Sequence, residues 1–469
     1  MRHWAVRARQ MSLLRRLWLW LHRFRLVQRL RRVASGARQG WRAPLPMPSL
    51  LAETAATDEQ PAPSPTETNN EALIKPDPAY ASSPDTARLV PPRLAGVTLV
   101  GHPFLISGRG EDLRAAAGAF AAAQLPFDLY NTFGAGQQNA SRLGHFGFFD
   151  RLVAEPRRRA QLFFLNADEM ASAHGHLGHE WFSGAVRIGY WAWELSRFPD
   201  AWLPAFDHVD EIWAPSRFIQ QAVSERTDKP VVRMPLVVEP KASEVGRARF
   251  GLPEDQFLFL FFFDFTSFIA RKNPYAAIEA LQRAFPAGRP NHVGIVVKLN
   301  GGQLKPDDYQ AFKENSLLRA NNVYLVDEVL SDGEIGALMK ACDAFISLHR
   351  SEGFGRGPAE AMYFGKPVVT TGYSGNLDYC HEQNCWLVDY QLKPLRAGEY
   401  PQAEGQVWAD PDVEHAAALM REIVDQPLEV ERRVKLAREI IDRHHSPTAV
   451  GAAARQRLMR LGVLDNSTV

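Results

Sequence analysis

Two carboxylates eight positions apart, Glu352 and Glu360, flank a glycine-rich turn with the sequence EGFGRGPAE. The turn follows an apolar run at 344–348 that is typical of a strand, and it precedes a short helix predicted to begin at Pro358 and to end near Gly365. Backbone N–H groups and the positive end of a helix attract anions at such a turn. Carboxylates repel phosphate but accept hydrogen bonds from hydroxyls, so the pattern predicts a ligand that carries both phosphate and sugar.

A pair of cations is the second feature with chemical potential. Arg271 and Lys272 directly precede a helix predicted to begin at Pro274, with Asn273 as its N-cap. A cation is unfavourable at a helix N-terminus, so the pair indicates a bound anion such as a diphosphate, and a solvated surface pair is the alternative. Lys298 ends a predicted strand, where it either points toward a ligand or lies at the surface.

Short apolar runs alternate with helical segments through most of the chain, which indicates parallel sheets covered on both faces. The predicted strands are 97–100, 162–165, 211–214, 231–234, 257–263, 293–299, 323–326, 344–348, 368–370 and 386–388; the predicted helices include 115–124, 274–285, 331–341 and 358–364. Ser331 and Glu334 fit a capping box. Two doubly wound domains in tandem bind ligands at the carboxyl ends of their strands, so the cleft between them is the expected active site.

Length and composition bound the class of protein. The chain has 469 residues, 46% of them hydrophobic, which is enough for about two or three domains with sizeable cores. The cysteines are Cys342, Cys380 and Cys385. Their odd number and their spacing fit neither a disulfide framework nor a zinc site, so buried free thiols in a reducing compartment are expected.

Charge is distributed unevenly along the chain. Residues 1–52 contain twelve arginines and no acidic residue, so the rest carries −11 of a total of +1. Within this arm, residues 11–33 have apolar and aromatic side chains on one helical face and arginines on the other, as in a helix lying in a membrane interface. Its uncharged runs are far too short to span a bilayer. A nucleic-acid-binding arm, a partner helix and an Arg-rich transit peptide are the alternatives.

The signature around the two glutamates resembles a known family. Glu352-x7-Glu360, in EGFGRGPAEAM followed by GKPVV, resembles the motif of the retaining glycosyltransferases of family 4, also called group 1. The segments 271–274 and 331–348 resemble the elements that accompany this motif in the donor domain. Residues 188–195 with 210–213 resemble the acceptor half of bacterial members. The likeness covers roughly residues 94–461.

The resemblance implies an α/β protein of GT-B architecture, in which two Rossmann-like doubly wound domains face each other across a cleft. The implied organisation is an acceptor domain at 93–240, a donor domain at 241–445 and a C-terminal helix at 446–469 that packs back toward the N-terminal domain. The resemblance leaves out the first 92 residues, where composition predicts a basic amphipathic arm at 1–42 and a Pro/Ala/Ser-rich disordered linker at 43–92.

Roles for individual residues follow from the resemblance. Glu360 is expected to bind the ribose hydroxyls and Glu352 the transferred sugar, while Lys272 and Arg271 neutralise the leaving diphosphate. Further donor-binding positions are Gly353, Phe354, Gly355, Lys298 and Ser267, with Gly108 and Gly110 from the other domain. Family members often carry an arginine five residues before the lysine, and Ser267 stands there in this chain. Asn166 stands where many family members place a histidine of the acceptor domain. Trp191, Trp193 and Glu194 are further acceptor-binding candidates because flat aromatic faces suit sugar rings, and a place in the domain core is the alternative.

Such enzymes retain the anomeric configuration, and their departing phosphate acts as the base. They need no metal and no cofactor beyond the nucleotide-sugar, which is a co-substrate. The HGHLGHE run, with His174, His176 and His179, leaves a metal site, acceptor contacts or a plain loop open. The lone Asp410-Pro411-Asp412 is interpreted as a turn or a helix cap.

The sequence therefore predicts a cytoplasmic hexosyltransferase that is peripheral at the inner face of the membrane. Its partners are a nucleotide-sugar donor, a glycan or lipid-linked acceptor in cell-surface polysaccharide synthesis, and an anionic membrane surface bound through residues 11–33. No nucleic-acid partner is expected. The alternatives are a soluble sugar synthase or phosphorylase-like enzyme and a catalytically inactive GT-B binding protein.

Overall fold

The computed structural model describes residues 93–465 except 138, 140–142, 144–145 and 287–291. The described residues belong to one compact unit, residues 88–469. The predictions for the arm at 1–42 and for the linker at 43–92 lie outside the described residues. Among the described helices, none has the length and apolar character needed to cross a membrane.

The first half of the described chain builds a parallel sheet with the strand order β2-β1-β3-β4-β5-β6. Its strands are β1 (Leu94–Gly101), β2 (Phe127–Asn131), β3 (Arg158–Phe163), β4 (Val186–Tyr190), β5 (Glu211–Ala214) and β6 (Val231–Arg233). The helices are α1 (Gly108–Ala122), α2 (Ala167–Leu177), α3 (His179–Phe182) and α4 (Arg217–Ser224), with 3-10 turns at Thr132–Gly134, Phe149–Arg151 and Asp200–His208.

A second parallel sheet follows, with the order β12-β11-β10-β7-β8-β9. Its strands are β7 (Phe257–Asp264), β8 (Val293–Asn300), β9 (Val323–Val326), β10 (Ala344–Ser347), β11 (Val368–Thr371) and β12 (Trp386–Val388). Strands β10 and β11 are buried along their whole length, as parallel strands covered on both faces should be. The two Rossmann-like doubly wound sheets predicted from the sequence are thereby confirmed.

The second half of the described chain also contains eight helices. They are α5 (Ile269–Lys272), α6 (Pro274–Ala284), α7 (Pro306–Glu314), α8 (Asp332–Ala341), α9 (Arg356–Tyr363), α10 (Val413–Asp425), α11 (Pro427–His445) and α12 (Pro447–Arg460). Short 3-10 turns lie at Arg247–Phe250, Phe265–Ser267, Gly302–Leu304, Ser316–Arg319 and Gly375–Asp378. Gly451 of α12 packs so closely on α1 that a Cβ there would lie 2.4 Å from the Ala119 carbonyl oxygen. The last helix therefore contacts the first domain.

An antiparallel hairpin lies outside both large sheets. It consists of β13 (Tyr390–Pro394) and β14 (Val407–Pro411), and the sequence analysis predicted neither strand. Its connecting loop reaches the first domain, where the Gln406 side chain accepts from the Arg197 backbone N–H (3.3 Å) and donates to the Arg197 carbonyl (2.7 Å). On its other side the Ala409 N–H donates to the Arg350 carbonyl at 2.9 Å. The hairpin thus contacts both halves of the described chain.

Helix starts account for several differences from the sequence predictions. Helix α1 begins at Gly108, with Ser107 as its N-cap, so it starts before the predicted helix at 115–124 and contains Gly108 and Gly110 in its first turn. Helix α9 begins at Arg356, which puts Pro358 at its third position. Proline fits there because the first N–H groups of a helix have no intrahelical partner. The stop at Gly365 is confirmed by its φ of +70°.

Caps and cysteines also bear on the predictions. Asn273 holds the cap position before α6, but its side chain does not cap the helix and donates instead to the Leu348 carbonyl at 3.0 Å. The capping box at Ser331 is confirmed, since its backbone N–H donates to the Glu334 carboxylate at 3.0 Å. The prediction of buried free thiols is confirmed for all three cysteines.

Candidate active site

One carboxylate and two cations meet where β10 ends. The Glu352 Oε1 atom lies 2.5 Å from Nζ of Lys272, and its Oε2 lies 3.2 Å from Nη1 of Arg271. Arg271 also donates to the Ser351 carbonyl at 3.0 Å. Arg271 is 4% exposed and Glu352 is 9% exposed. Two positive groups thus face one negative group in a largely buried place, and the Glu194 carboxylate also acts on both cations. We call Arg271, Lys272 and Glu352 the charge cluster.

The protonation of the charge cluster follows from its surroundings. Burial would raise the pKa of Glu352, but Lys272 and Arg271 outweigh it and hold that pKa at about 2. Burial lowers the pKa of Lys272, as does Arg271, whereas Glu352 opposes them. Burial likewise lowers the pKa of His349, whose ring contacts Asn376 at 3.3 Å, to about 4. Glu352 is therefore ionised and His349 is neutral near pH 7.

The first domain adds a carboxylate to the edge of this cluster. The Tyr400 hydroxyl, from the loop between β13 and β14, donates to Oε2 of Glu194 at 2.6 Å. The Tyr400 ring lies 5.6 Å from the guanidinium carbon of Arg271. The Ser351 hydroxyl donates to the Glu194 carbonyl. Glu194 is therefore linked to the charge cluster across the cleft, because it contacts Tyr400 and Ser351.

A cavity of about 450 Å³ lies between the two domains. Both domains line it: Gly108, Glu111 and Arg114 come from α1, while Phe262, Asp264, Lys298, Asn300, Leu330, Met339, Arg356 and Glu360 come from the second domain. Lys298 is only 5% exposed, and burial lowers its pKa. Both polar and apolar side chains line this space, which makes it suitable for a small molecule of mixed polarity.

Glu360 has different surroundings from Glu352. Its closest cation is Arg356, whose Nη1 lies 3.3 Å from Oε1 of Glu360. Burial raises the pKa of Glu360 to about 7, and Arg356 offsets that rise only in part. Arg356 is shared, because its Nε donates to Oδ1 of Asp112 at 3.1 Å. Asp112 itself accepts from Arg109 at 2.8 Å.

The glycine turn between the glutamates contacts the other domain. The Gly353 carbonyl accepts from the Ser216 hydroxyl at 2.5 Å, and a Cβ on Gly353 would lie 2.8 Å from the Trp193 carbonyl oxygen. Phe354 is buried against Tyr379, with ring centroids 5.1 Å apart. Gly355 has a φ of +88°, which favours glycine. Glycine is therefore required at both positions, for close approach at one and for backbone conformation at the other.

The predicted donor residues divide into two neighbouring groups. Arg271, Lys272 and Glu352 form the charge cluster, while Gly108, Lys298 and Glu360 line the cavity. Gly110 instead packs inside the first domain, where a Cβ would lie 2.2 Å from the Leu105 carbonyl oxygen. Ser267 ends the 3-10 turn after β7 and is not among the residues that line the cavity.

The acceptor residues require a correction. The side chains of Trp191 and Trp193 are 0% and 2% exposed, so neither ring offers a face to a sugar. Trp191 stacks on Phe198 at 5.9 Å, because large aromatic side chains at the end of a buried strand build the domain core. Asn166 precedes α2, and its Oδ1 accepts from the Ala192 N–H at 3.3 Å.

The histidine-rich run belongs to α2 and α3. His174 stacks on His208, with ring centroids 4.5 Å apart. Within the described ranges, no group of three or more His, Cys, Asp or Glu side chains could hold a metal ion. Asp412 caps α10 by accepting from the His415 N–H at 3.0 Å, while Asp410 pairs with Arg350. The interpretation of Asp412 as a helix cap is thereby confirmed.

Sequence reasoning gave no role to three residues of this region. Arg356 stands inside the glycine motif, so a cation next to Glu360 was visible in the sequence. Asp112 follows Arg109 at helical spacing and pairs with it, but its contact with Arg356 depends on the docking of the two domains. Tyr400 lies in a segment without a periodic pattern, and the sequence carries no signal for its contact with Glu194.

Parts of this chain are similar in sequence to known proteins. Residues 247–441 match the family model for glycosyl transferases group 1. The lipopolysaccharide glucosyltransferase WaaG of Escherichia coli K12 is 31% identical over 149 residues, which cover 32% of this chain. That alignment spans only 37% of the length of WaaG.

Solved structures resemble the described fold. The HepE protein of Anabaena, crystallised with UDP and glucose, has a TM-score of 0.58 at 14% identity, covering 78% of this chain and 100% of its own. A glycosyltransferase of Rickettsia africae has a TM-score of 0.55 at 12% identity, covering 79% and 99% of the two chains. The likeness shows a GT-B fold of two Rossmann-like domains. The family match shows that residues 247–441 are similar to glycosyl transferases group 1.

Proposed function

We propose that this protein is a retaining hexosyltransferase of family 4. It moves a sugar from a nucleotide-sugar donor to a glycan or lipid-linked acceptor in cell-surface polysaccharide synthesis. The observation that carries the proposal is the charge cluster, in which Lys272 and Arg271 hold Glu352, beside a cavity lined by Glu360 and Lys298. The name of WaaG as a glucosyltransferase and the UDP-glucose complex of HepE support a nucleotide-sugar donor.

The cavity suits the nucleotide part of such a donor. Its volume of about 450 Å³ falls within the usual range of small-molecule sites. In our proposal the Glu360 carboxylate accepts hydrogen bonds from the ribose hydroxyls. Lys298, which lies two residues before the end of β8 and also lines the cavity, adds positive charge for an anionic ligand. The resemblance assigns the phosphates and the sugar to the glycine turn at 353–355, which lies between Glu352 and Glu360 in the sequence.

The charge cluster suits the chemical step. As the bond between the anomeric carbon and the phosphate oxygen breaks, negative charge develops on the leaving diphosphate. Lys272 and Arg271 stabilise that charge, and preorganised groups of this kind usually supply the largest catalytic contribution. The acceptor oxygen forms its bond on the same face of the sugar and gives its proton to the departing phosphate. The reaction then needs no protein nucleophile, metal or cofactor.

The proposal also assigns the acceptor side of the site and the location of the enzyme. Glu194 faces the charge cluster from the first domain, so we assign it to the acceptor side. A lipid-linked acceptor would explain the arm at 11–33, which we propose holds the enzyme at the inner face of the membrane. Transfer to a free soluble sugar, without any dependence on membranes, would favour a synthase instead.

A donor screen tests the proposed activity. The full-length protein is incubated with UDP-, GDP- and ADP-sugars, with and without EDTA, and release of the nucleoside diphosphate is measured. We expect one nucleotide class to be used, EDTA to leave the rate unchanged, and NMR of the product to show the anomeric configuration of the donor. Absence of binding to all three classes would contradict the enzyme assignment, and an inverted product would contradict retention.

A separate experiment tests the arm. The full-length protein and a variant with Arg15, Arg25 and Arg29 replaced by glutamine are mixed with anionic vesicles or with duplex DNA at equal salt. We expect the wild type to bind vesicles more strongly than DNA, and the variant to lose much of that binding because each surface cation contributes about 1 kcal/mol. Preference for DNA would favour the nucleic-acid alternative.

A further inference from the structure

Arg356 is the arginine of the second domain that lines the cavity, and it is shared between two carboxylates. Its Nε donates to Oδ1 of Asp112 in the first domain at 3.1 Å. Its Nη1 donates to Oε1 of Glu360 in its own helix at 3.3 Å. The third nitrogen, Nη2, is buried and has no hydrogen-bond partner.

A buried donor without a partner is costly, so this arrangement is incomplete. The neighbouring cavity arginine provides a contrast. Arg114 donates to the carbonyls of Pro103 (3.0 Å) and Leu105 (2.9 Å) and to the Glu111 carboxylate, so its guanidinium serves the first domain. Arg356 instead has a spare N–H group. Because Nη2 itself is buried, the guanidinium must turn away from Asp112 before this donor can reach a ligand in the cavity, where its planar fork suits the oxygens of a diphosphate.

The position of Arg356 agrees with this chemistry. In the proposed function, which this inference presupposes, Glu360 binds the ribose and Glu352 faces the sugar. Arg356 contacts Glu360 directly, and in a nucleotide-sugar the diphosphate is the group attached next to the ribose.

We propose that Arg356 is a donor-binding residue whose guanidinium binds the diphosphate of the nucleotide-sugar, and that Asp112 occupies this guanidinium when the cavity is empty. Donor binding then exchanges one anionic partner of Arg356 for another. The Asp112 carboxylate competes with the donor for the same cation.

The two partners therefore have opposite expected effects on donor affinity. Loss of Arg356 removes a contact with the ligand, whereas loss of the Asp112 charge releases Arg356 for the ligand. If the Arg356–Asp112 pair served only to hold the two domains together, both changes would act in the same direction.

Titration calorimetry on the full-length protein distinguishes these cases. UDP, GDP and ADP, each beside its nucleoside, are titrated into the wild type, Arg356→Gln, Arg356→Lys and Asp112→Asn. Arg438→Gln is the matched control, because Arg438 lies on α11, donates to the Tyr363 carbonyl at the end of α9 and is not among the residues that line the cavity. Melting temperatures without nucleotide check that each variant is folded.

We expect Arg356→Gln to weaken diphosphate binding about tenfold to a hundredfold, as for the loss of a hydrogen bond to a charged group, with nucleoside binding unchanged. Arg356→Lys should retain part of the affinity, and Asp112→Asn should bind the diphosphate more tightly than the wild type. The control should match the wild type.

Equal losses for nucleoside and diphosphate in Arg356→Gln, or weaker binding by Asp112→Asn, would overturn the inference in favour of a purely structural pair. Normal binding by Arg356→Gln would overturn it as well, while leaving the proposed function intact. Failure of the wild type to bind any of the three diphosphates would instead overturn the proposed function, and this inference with it.

Discussion

Glu352 and Glu360 belong to one motif, yet the structure gives them opposite electrostatic surroundings. Glu352 contacts two cations, which hold its pKa at about 2 against the effect of burial. Glu360 contacts one arginine that it shares with Asp112, and burial raises its pKa to about 7. One carboxylate is compensated within the protein, and the other is compensated only in part.

Glu352 is therefore needed for the stability of the fold before any ligand binds, whereas the contacts of Glu360 are completed only by a ligand. Glu352 neutralises cations that would otherwise be buried without a partner, so it stabilises the folded protein before any substrate binds. Burial of the Glu360 carboxylate is unfavourable, and its contact with Arg356 offsets this free-energy cost only in part. A carboxylate left in this state is typical of functional sites, where a ligand completes its hydrogen bonds.

The largest expected effect contrasts the two glutamates in stability. Glu352→Gln leaves Arg271 and Lys272 facing a neutral amide, so the free energy of unfolding near pH 7.5 should fall by about 3–5 kcal/mol. Glu360→Gln should leave it unchanged or higher, because the amide is cheaper to bury than a carboxylate. Urea unfolding measures the free energy of unfolding of both variants. Equal losses would show that the two carboxylates contribute equally to stability despite their different contacts.

The charge cluster should matter most for turnover. Lys272→Ala removes a cation that stabilises the leaving diphosphate, so kcat should fall about 10²–10³-fold. Lys313→Ala serves as the control, since Lys313 pairs with Asp327 outside the cluster. Wild-type transfer by an Arg271→Ala, Lys272→Ala double variant would refute the assignment of this cluster to the phosphates.

The pH dependence of stability sharpens the same comparison. The raised pKa of Glu360 means that the folded state binds its proton more tightly than the unfolded state, so stability falls as pH rises from about 4.5 to about 7. The loss approaches about 3 kcal/mol if the whole shift is realised. Glu352 acts with the opposite sign: its stabilisation is present above about pH 4.5 and is lost as pH falls toward 2.

Thermal unfolding of the wild type and Glu360→Gln from pH 5 to 8 checks this dependence. The difference in stability between the two proteins should grow across this range in favour of the variant. A constant difference would mean that Glu360 titrates near its ordinary pKa and that its surroundings are not as desolvated as we infer.

The smallest predicted effect concerns the edge of the charge cluster. Tyr400→Phe removes the hydroxyl that donates to Glu194 but keeps the ring beside Arg271, so stability should fall by about 0.5–1.5 kcal/mol. Tyr309→Phe is a matched control, because the Tyr309 hydroxyl donates to an exposed carboxylate, Asp327. A larger fall in kcat for Tyr400→Phe than for the control would link Glu194 to the site, and equal behaviour would separate it from catalysis.

The comparison also shows what could be predicted from the sequence. Apolar runs bounded by turn residues predicted ten strands of the two parallel sheets, because strands covered on both faces carry a strong and continuous signal. Strands β2 and β4 were missed, since β2 alternates polar and apolar residues and β4 contains arginine and glycine. The hairpin β13–β14 was missed because β13 is exposed and lacks an apolar pattern.

Site residues were predictable where they lie close together in sequence or belong to a motif. Glu352, Glu360, Arg271 and Lys272 were singled out in this way, and the structure brings Arg271, Lys272 and Glu352 together. The ion pair between Glu352 and Lys272 was not predicted, because it joins residues 80 positions apart. The tryptophans were assigned to an acceptor groove because composition alone does not separate an aromatic core from an aromatic surface. Burial decides that question, and it depends on the packing of the whole domain.

The most direct test of the account asks what Glu360 contacts. Whichever of UDP, GDP or ADP binds the wild type is compared with its 2′,3′-dideoxy form, in the wild type and in Glu360→Ala, by titration calorimetry. If Glu360 binds the ribose hydroxyls, the wild type should bind the dideoxy form about tenfold or more weakly, and Glu360→Ala should bind both forms with similar, reduced affinity. Unchanged discrimination by Glu360→Ala would contradict the assignment of the cavity as the ribose-binding part of a nucleotide-sugar donor site.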